Sequence, residues 1–303
     1  MLVSLVFIIA SVASLSLCRA ERLCASDNHK NGLIVIGFYG ISRALEVILP
    51  TLQKHVVDVL DDAEIGYEVL WSTNAAFETV KTRGQLRKSN ILYQEGIDPY
   101  EVRLLEPCQV SLIDQDKVRH EEYLHFAKTR GLELDENFQF VNKTKAAELD
   151  HFHDKLRSIQ NMLCAFHSMN ILAGMVEARQ AVHNISYDAM LILRPDTAMV
   201  RDIDLPQYMK KIKNEPKAIW IPNFQHYHGL NDRAAFGSIE TMMIYLKRGQ
   251  AYREAPGLFP VSEILVNHTL VLHNITVYNS TMRVLCVRQY CIVADLKENG
   301  LGV

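Results

Sequence analysis

Gly32-Leu-Ile-Val-Ile-Gly37-Phe-Tyr-Gly40-Ile-Ser42-Arg43 is the stretch that decides the fold. Its first six residues are an unbroken apolar run, rich in β-branched side chains. That is the pattern of a strand buried on both faces of a parallel sheet; a half-exposed strand would alternate with polar residues. The predicted strand Gly32–Gly37 ends in a glycine turn, Gly37–Gly40. Ser42 then stands where an N-cap belongs, ahead of a helical stretch that runs to Leu60 and that Pro50 should split. Tyr67-Glu-Val-Leu-Trp71 is the second predicted strand. Strand, glycine turn, helix and strand make a βαβ unit with a right-handed crossover.

The same alternation continues down the chain. Glu121–Arg130 has a helical pattern. Phe152–His183 is the strongest helix, with Leu156, Ile159, Leu163, Phe166, Ala173 and Val176 at near-helical spacing. It leads directly into a second fully apolar strand, Tyr187–Leu193. A short strand follows at Ala218–Ile221, Ser238 caps a helix through Leu246, and Leu270–Val277 and Met282–Val287 read as late strands. The implied fold class is α/β: a Rossmann-like, mostly parallel central sheet with helices on both faces. A chain of 303 residues, 49% of them hydrophobic, can bury a core of that size.

The address comes from the first twenty residues. Leu2–Leu17 is almost wholly apolar, and Cys18-Arg19-Ala20 offers the small residues that a signal peptidase reads. Residues 1–20 are therefore a signal peptide or signal anchor, residues 21–31 a short linker, and residues 32–303 a single domain. Any membrane tether would lie in residues 1–20. Five N-x-[ST] sequons, at Asn142, Asn184, Asn267, Asn274 and Asn279, agree with glycosylation in the secretory pathway, in the Golgi or ER lumen or outside the cell. Cysteine use is compatible: Cys164 has a core residue's neighbours, and Cys286 and Cys291 could close a small loop. A net charge of −3 leaves no basic footprint for nucleic acid.

In open parallel sheets ligands lie at the carboxyl ends of the strands. Three segments put polar residues there. The first is Gly37–Arg43, where Gly37 and Gly40 would let backbone N–H groups approach a phosphate and Arg43 would fork onto its oxygens. The second is Arg194-Pro195-Asp196. Asp196 could hold Mn²⁺ or Mg²⁺ between protein and diphosphate, and Arg194 could neutralise phosphate directly; a buried Arg–Asp pair closing the strand would look the same. The third is His228–Ser238, in which Asn231 and Arg233 could bind sugar or phosphate and Asp232 could act as a base. Glu263, after Ser262, is a second acid near the start of an apolar stretch. The pairs His226/His228 and His151/His153 are spaced as ligands could be, but two histidines alone make no metal site.

Together these segments resemble a loosely characterised group of nucleotide-sugar glycosyltransferases with a GT-A-like fold. The likeness rests on strand-Gly-x-x-Gly-x-x-Arg at Gly37–Arg43, Arg-Pro-Asp at Arg194–Asp196, Asn-Asp-Arg-x-Ala-x-Gly-Ser around Asn231–Ser238, and Ser262-Glu263, in that order from about Gly32 to Val287. Arg-Pro-Asp stands where better-known relatives carry Asp-x-Asp, and the first acid is missing. The resemblance implies glycosyl transfer from a nucleotide diphosphate sugar to a glycan or protein hydroxyl. Gly37, Gly40, Arg43, Arg194, Asn231 and Arg233 would lie on the donor, Asp196 on the metal, and Asp232 or Glu263 would serve as catalytic base. Two other readings stay open: a secreted carbohydrate-binding protein that has lost catalysis, and a glycoside hydrolase using Asp232 and Glu263 as its acid pair.

The clustering of three sequons within Asn267–Thr281 generates a test. Treating protein from a secreting eukaryotic host with an N-glycan-removing enzyme is expected to lower its apparent mass. At least two of Asn267, Asn274 and Asn279 should be occupied in peptide mapping.

Overall fold

A computed structural model of the chain describes residues 30–42, 45–75, 80–83, 92–95, 101–135, 141, 155–254, 261–288 and 292–293. The signal segment, Arg43, Asn142, His151 and His153 lie outside the described residues. The strands are β1 (Leu33–Tyr39), β2 (Gly66–Ala75), β3 (Val80–Arg83), β4 (Leu92–Glu95), β5 (Gln109–Asp114), β6 (Ala189–Leu193), β7 (Thr197–Met199), β8 (Ala218–Pro222), β9 (Ala234–Ser238), β10 (Thr276–Ser280), β11 (Val284–Arg288) and β12 (Ile292–Val293). The α-helices are α1 (Leu45–Leu52), α2 (Asp58–Asp62), α3 (Gln115–Thr129), α4 (Lys155–His183), α5 (Leu205–Asn214), α6 (Ile239–Leu246), α7 (Arg248–Glu254) and α8 (Ser262–Leu272).

Seven strands form the central sheet in the order β10-β8-β9-β6-β1-β2-β5. Every pairing is parallel except those of β9, which runs against both β6 and β8. The two runs that the sequence marks as buried strands, β1 and β6, lie side by side in parallel at the centre. Helices cover both faces. On one, Leu163, Phe166, Leu172 and Val176 of α4 and Met242 of α6 pack over Val35, Met190 and Ile192. On the other, Leu45, Ile48, Leu60 and Met209 of α1, α2 and α5 pack over Ile34, Ile36 and Leu191. Consecutive residues of β1 and β6 serve opposite cores, which is why neither run alternates with polar residues.

Several local expectations are corrected. β1 does not stop at Gly37 but continues through Phe38 and Tyr39. Gly37 is an interior strand residue whose missing side chain admits α4: a Cβ there would lie 2.6 Å from Ile192 Cδ1 and 3.0 Å from Leu172 Cδ2. The turn residue is Gly40, at φ +91°, a conformation that suits glycine. The Ser42 hydroxyl donates to Glu101, and the other oxygen of Glu101 accepts from the Glu46 amide 3.3 Å away, in the first turn of α1. Pro50 lies inside α1, and the helical stretch passes through a π turn, Gln53–Val57, into α2.

Of the expected strand Leu270–Val277, only Thr276 and Val277 are extended, as the start of β10; Leu270–Leu272 are the end of α8. Leu265, Val266, Thr269 and Leu270 recur at helical spacing and form the buried face of α8, which ends before β10 begins. Ala234–Ser238, the second half of the polar segment His228–Ser238, is the fully buried strand β9. Ser238 does cap the following helix, accepting from the Thr241 amide at 3.2 Å. Cys164 and Cys286 are buried thiols outside any disulfide and Cys108 is disulfide-bonded, so Cys286 closes no loop with Cys291. The sequon asparagines 184 and 274 are exposed at φ +53° and +54°, just past the ends of α4 and α8, where asparagine often terminates a helix. Asn267 and Asn279 are also exposed.

The Gly37 contact gives a stability test. Gly37→Ala forces the Ile192 and Leu172 side-chain ends to shift and should cost about 1–3 kcal/mol, the usual scale for overpacking. Urea denaturation checks it: the midpoint should fall with little change in slope.

Candidate active site

The reversed direction of β9 builds the site. Leu193, the last residue of β6, pairs with Ala234, the first of β9. The loop that feeds β9 therefore arrives at the carboxyl edge of the parallel strands, where β6 delivers Arg194. The Arg194 amide donates to the Arg233 carbonyl at 3.0 Å, sealing the two segments together. A second constraint brings in α8. Gly229 packs directly on the backbone of Glu263, where a Cβ would meet the Glu263 carbonyl oxygen at 2.0 Å, and the Leu230 amide donates to that oxygen at 2.9 Å. Only a glycine allows that approach.

The result is one cavity of about 390 Å³, within the range of small-molecule sites. Tyr39, Gly40 and Ile41 enter it from the end of β1, Arg194, Pro195 and Asp196 from the end of β6, Asp232 and Arg233 from before β9, and Ser262 and Glu263 from the start of α8. The three segments singled out by the sequence thus face one another. Asn74 of β2, Gln115 of α3, and Asn161, Met162, Cys164 and Ala165 of α4 complete the wall.

Not every expected residue takes part as expected. Gly37 lies in the strand interior, away from the cavity lining. Gly40 lines the cavity, but its N–H is already used, donating to the Ser72 carbonyl at 3.0 Å and lying 3.3 Å from the Ser168 hydroxyl. Asn231 is buried and stitches its own loop: Nδ2 donates to the Phe224 carbonyl at 2.9 Å, and Oδ1 accepts from the Arg233 amide at 2.9 Å. Its amide is spent on shaping the loop and not on a donor. His226 and His228 form no ligand pair. His226 accepts from the Asn231 amide through Nδ1 and contacts Asn223 through Nε2, while His228 is exposed.

Arg194 and Asp196 form the buried pair that the sequence allowed as an alternative. Nε and Nη2 of Arg194 donate to Oδ1 and Oδ2 of Asp196 at 3.1 and 2.7 Å, and the Cys286 thiol donates to Oδ2 at 3.3 Å. Asp196 is 4% exposed. Both oxygens of Asp196 already accept hydrogen bonds, so a cation there would share them with Arg194 and Cys286. Among the described residues, no group of three His, Cys, Asp or Glu side chains converges to hold a metal. Burial alone would weaken the Arg194 charge, but Asp196, then Cys286 and Asp232, more than offset it, and the guanidinium stays firmly protonated.

Asp232 rests on a buried base that the sequence did not reveal. Tyr39 and Tyr245 both donate their hydroxyls to the Asp232 carbonyl, at 2.6 and 3.2 Å. Below them Arg248, 1% exposed, donates to the Tyr245 carbonyl at 3.0 Å and lies 4.2 Å over the Tyr245 ring. Burial works against the Arg248 charge, but Tyr245, Tyr39 and Asp232 more than offset it. Burial also holds the Tyr39 phenol well above its ordinary range. Tyrosines 39 and 245 sit in apolar-looking sequence, so nothing in their spacing announced this support.

Glu263 carries the most telling electrostatics. Burial and the adjacent Asp232 charge push its carboxyl up to about 7, with Arg194 and Arg233 offsetting only part of the rise. A carboxyl that titrates near neutral pH can take or give a proton in catalysis, which an ordinary surface glutamate does poorly.

No protein-family model matches the chain, and no curated protein matches it. Among solved structures it is similar to mouse xyloside xylosyltransferase 1 in its apo form, at 8% sequence identity and a TM-score of 0.34, over 81% of this chain and 84% of that chain. A likeness of that size carries no functional weight.

The raised Glu263 carboxyl has a consequence for stability. It stays protonated in the folded chain, at about 7, while an unfolded chain ionises near 4.5. Its contribution is complete below the unfolded value and is lost as pH rises through about 7. Glu263→Gln removes the titration. The variant should match the wild type at pH 4.5 and exceed it at pH 8, by up to about 2 kcal/mol after allowance for solvent screening. Thermal melts at the two pH values read the difference directly.

Proposed function

We propose that the chain is a glycosyltransferase, moving a sugar from a nucleotide diphosphate sugar to a hydroxyl of a glycan or protein acceptor in the secretory pathway. One observation carries the reading: Arg194-Pro195-Asp196, Asp232-Arg233 and Ser262-Glu263, far apart in sequence, line a single cavity at the carboxyl edge of the sheet. Their order and types are those on which the family resemblance rests. The cavity is also chemically divided. Arg194, Asp196, Asp232, Arg233 and Glu263 make a charged end, and the neutral amides of Asn74, Gln115 and Asn161 line the rest. A nucleotide sugar suits that division, with its diphosphate on the two arginines of the charged end and its base and ribose among neutral hydrogen-bonding groups.

In this reading the acceptor oxygen attacks the anomeric carbon while the bond from that carbon to the diphosphate oxygen breaks. Arg233 and the outer edge of Arg194 meet the charge that grows on the leaving diphosphate. Arg194 can do so because Asp196 holds its plane fixed through two hydrogen bonds. Glu263 accepts the proton of the acceptor hydroxyl; its carboxyl, at about 7, matches that task. Asp232, fixed by two tyrosine hydroxyls on its carbonyl, raises the basicity of Glu263 and sits where it can orient a sugar hydroxyl. The tight Arg194–Asp196 pair supports a diphosphate held by arginine, and no step uses a metal.

A second reading has its own support. Two neighbouring carboxyls, with the Glu263 carboxyl pushed up to about 7, are also what a glycoside hydrolase uses, with Glu263 as the protonated acid.

The pH profile of turnover separates the two. Purified protein is assayed with a panel of nucleotide sugars for release of the nucleoside diphosphate, and with aryl glycosides for hydrolysis. For the transferase, the rate should rise with pH through about 7, as Glu263 deprotonates. Glu263→Gln should then lower it by about 10²-fold or more while donor binding persists. Arg233→Gln should mainly raise the donor KM. A rate that falls above neutrality, with glycosides turned over and no nucleotide bound, establishes the hydrolase reading instead.

A further inference from the structure

A smaller cavity, of about 50 Å³, lies outside the cleft where α3, α4 and the α6–α7 junction meet. Its defining residue is Arg130, at the end of α3. The guanidinium is held between two rings, with Cζ 4.4 Å from the centroid of Phe126 and 4.2 Å from that of Tyr252. Stacking on both faces fixes the plane of the group and leaves only its edges for hydrogen bonds. Yet, among the described residues, Nε and Nη2 of Arg130 and the hydroxyl of Tyr252 are buried and meet no hydrogen-bond partner. Tyr252 itself is 1% exposed. Buried donors left in this way point to a missing water or ion.

The unmet groups select the charge of the occupant. A guanidinium can only donate, and the phenol can donate as well, so the pocket asks for acceptors. Its own carboxylate is already committed. Glu122 accepts from Arg253 and meets His167 at 3.3 Å, and burial opposes but does not prevent its ionisation. Lys247, also in the lining, pairs outward with Glu177 at 2.5 Å. Arg130, Lys247 and Arg253 thus all line the pocket, and Glu122 is the single carboxylate among its described lining residues. The volume admits a few water-sized atoms, too little for a sugar ring or a nucleotide but enough for one oxyanion.

We propose that this pocket is an anion-binding site, separate from the candidate active site, that seats a single carboxylate, sulfate or phosphate group on the stacked edge of Arg130 and the hydroxyl of Tyr252. The group can be a free inorganic ion or the anionic substituent of a larger glycan. The two sources share the same chemistry at the pocket.

The test uses the full secreted chain and titration calorimetry, with sodium sulfate, sodium phosphate and a sulfated oligosaccharide as probes against sodium chloride at equal ionic strength. Saturable one-site binding of sulfate or phosphate is expected, weakened at least tenfold in Arg130→Met and several-fold in Tyr252→Phe. Tyr252→Phe keeps the ring stack and removes only the hydroxyl, so it carries the test if Arg130→Met does not fold. Tighter binding of the sulfated oligosaccharide than of free sulfate, lost in the same variants, assigns the group to a glycan; equal binding assigns it to the free ion. Sulfate also stabilises proteins without a site. If wild type and both variants respond alike, or if no probe binds beyond the chloride control, the site does not exist.

Discussion

Strand β9 runs against its neighbours, and the site depends on that reversal. A parallel strand beside β6 would have begun at the far edge of the sheet and carried Asp232 and Arg233 away from Arg194. Because β9 is antiparallel, its first residue pairs with the last residue of β6, and the polar loop before it lands on the carboxyl edge. Gly229 then allows the loop to lie against the backbone at the start of α8, which fixes Glu263 beside Asp232. Sheet topology and one missing side chain together assemble acids and cations that come from three separate parts of the chain.

The assembled charges are arranged unevenly. Asp196 has both oxygens on Arg194 and behaves as a structural counterion. Asp232 has its backbone clamped by two buried phenols, with the buried Arg248 behind them. Glu263 has no such close partner, so burial and the neighbouring negative charge raise its proton affinity. Two carboxyls in one cavity thereby differ in kind, which is the condition for one of them to move protons near neutral pH. Desolvation does this work. In water the Glu263 carboxyl would ionise as an ordinary acid, and the ion pairs would be weak.

Much of the fold was legible because the core strands obey simple rules. Leu33–Tyr39 and Ala189–Leu193 are apolar on both sides, and that pattern has few outcomes other than the middle of a parallel sheet. β9 was not legible in the same way. Ala-Ala-Phe-Gly-Ser is short, contains small residues and follows a polar loop, so its strand character comes from its neighbours β6 and β8 and not from its own propensity. Leu270–Val277 misled in its first half for the opposite reason, since Leu270-Val271-Leu272 has a strand-like composition but closes α8, and only Thr276 and Val277 belong to a strand, β10. At the site, residue types at strand ends pointed to the correct edge, but their partners are tertiary facts. The fork of Arg194 on Asp196, the loop-bound Asn231 and the support from Tyr39, Tyr245 and Arg248 exist only once the chain is folded.

The central claim is that a nucleoside diphosphate occupies this cavity with its phosphates on the arginines. The test is a crystal structure of the purified chain with a nucleoside diphosphate bound. The account requires the diphosphate to contact Arg233 and the free edge of Arg194, the base to lie toward Asn74 and Gln115, and the Glu263 carboxyl to face the position left by the sugar. A diphosphate seated elsewhere on the surface, or a cavity that stays empty at saturating nucleotide, would contradict it.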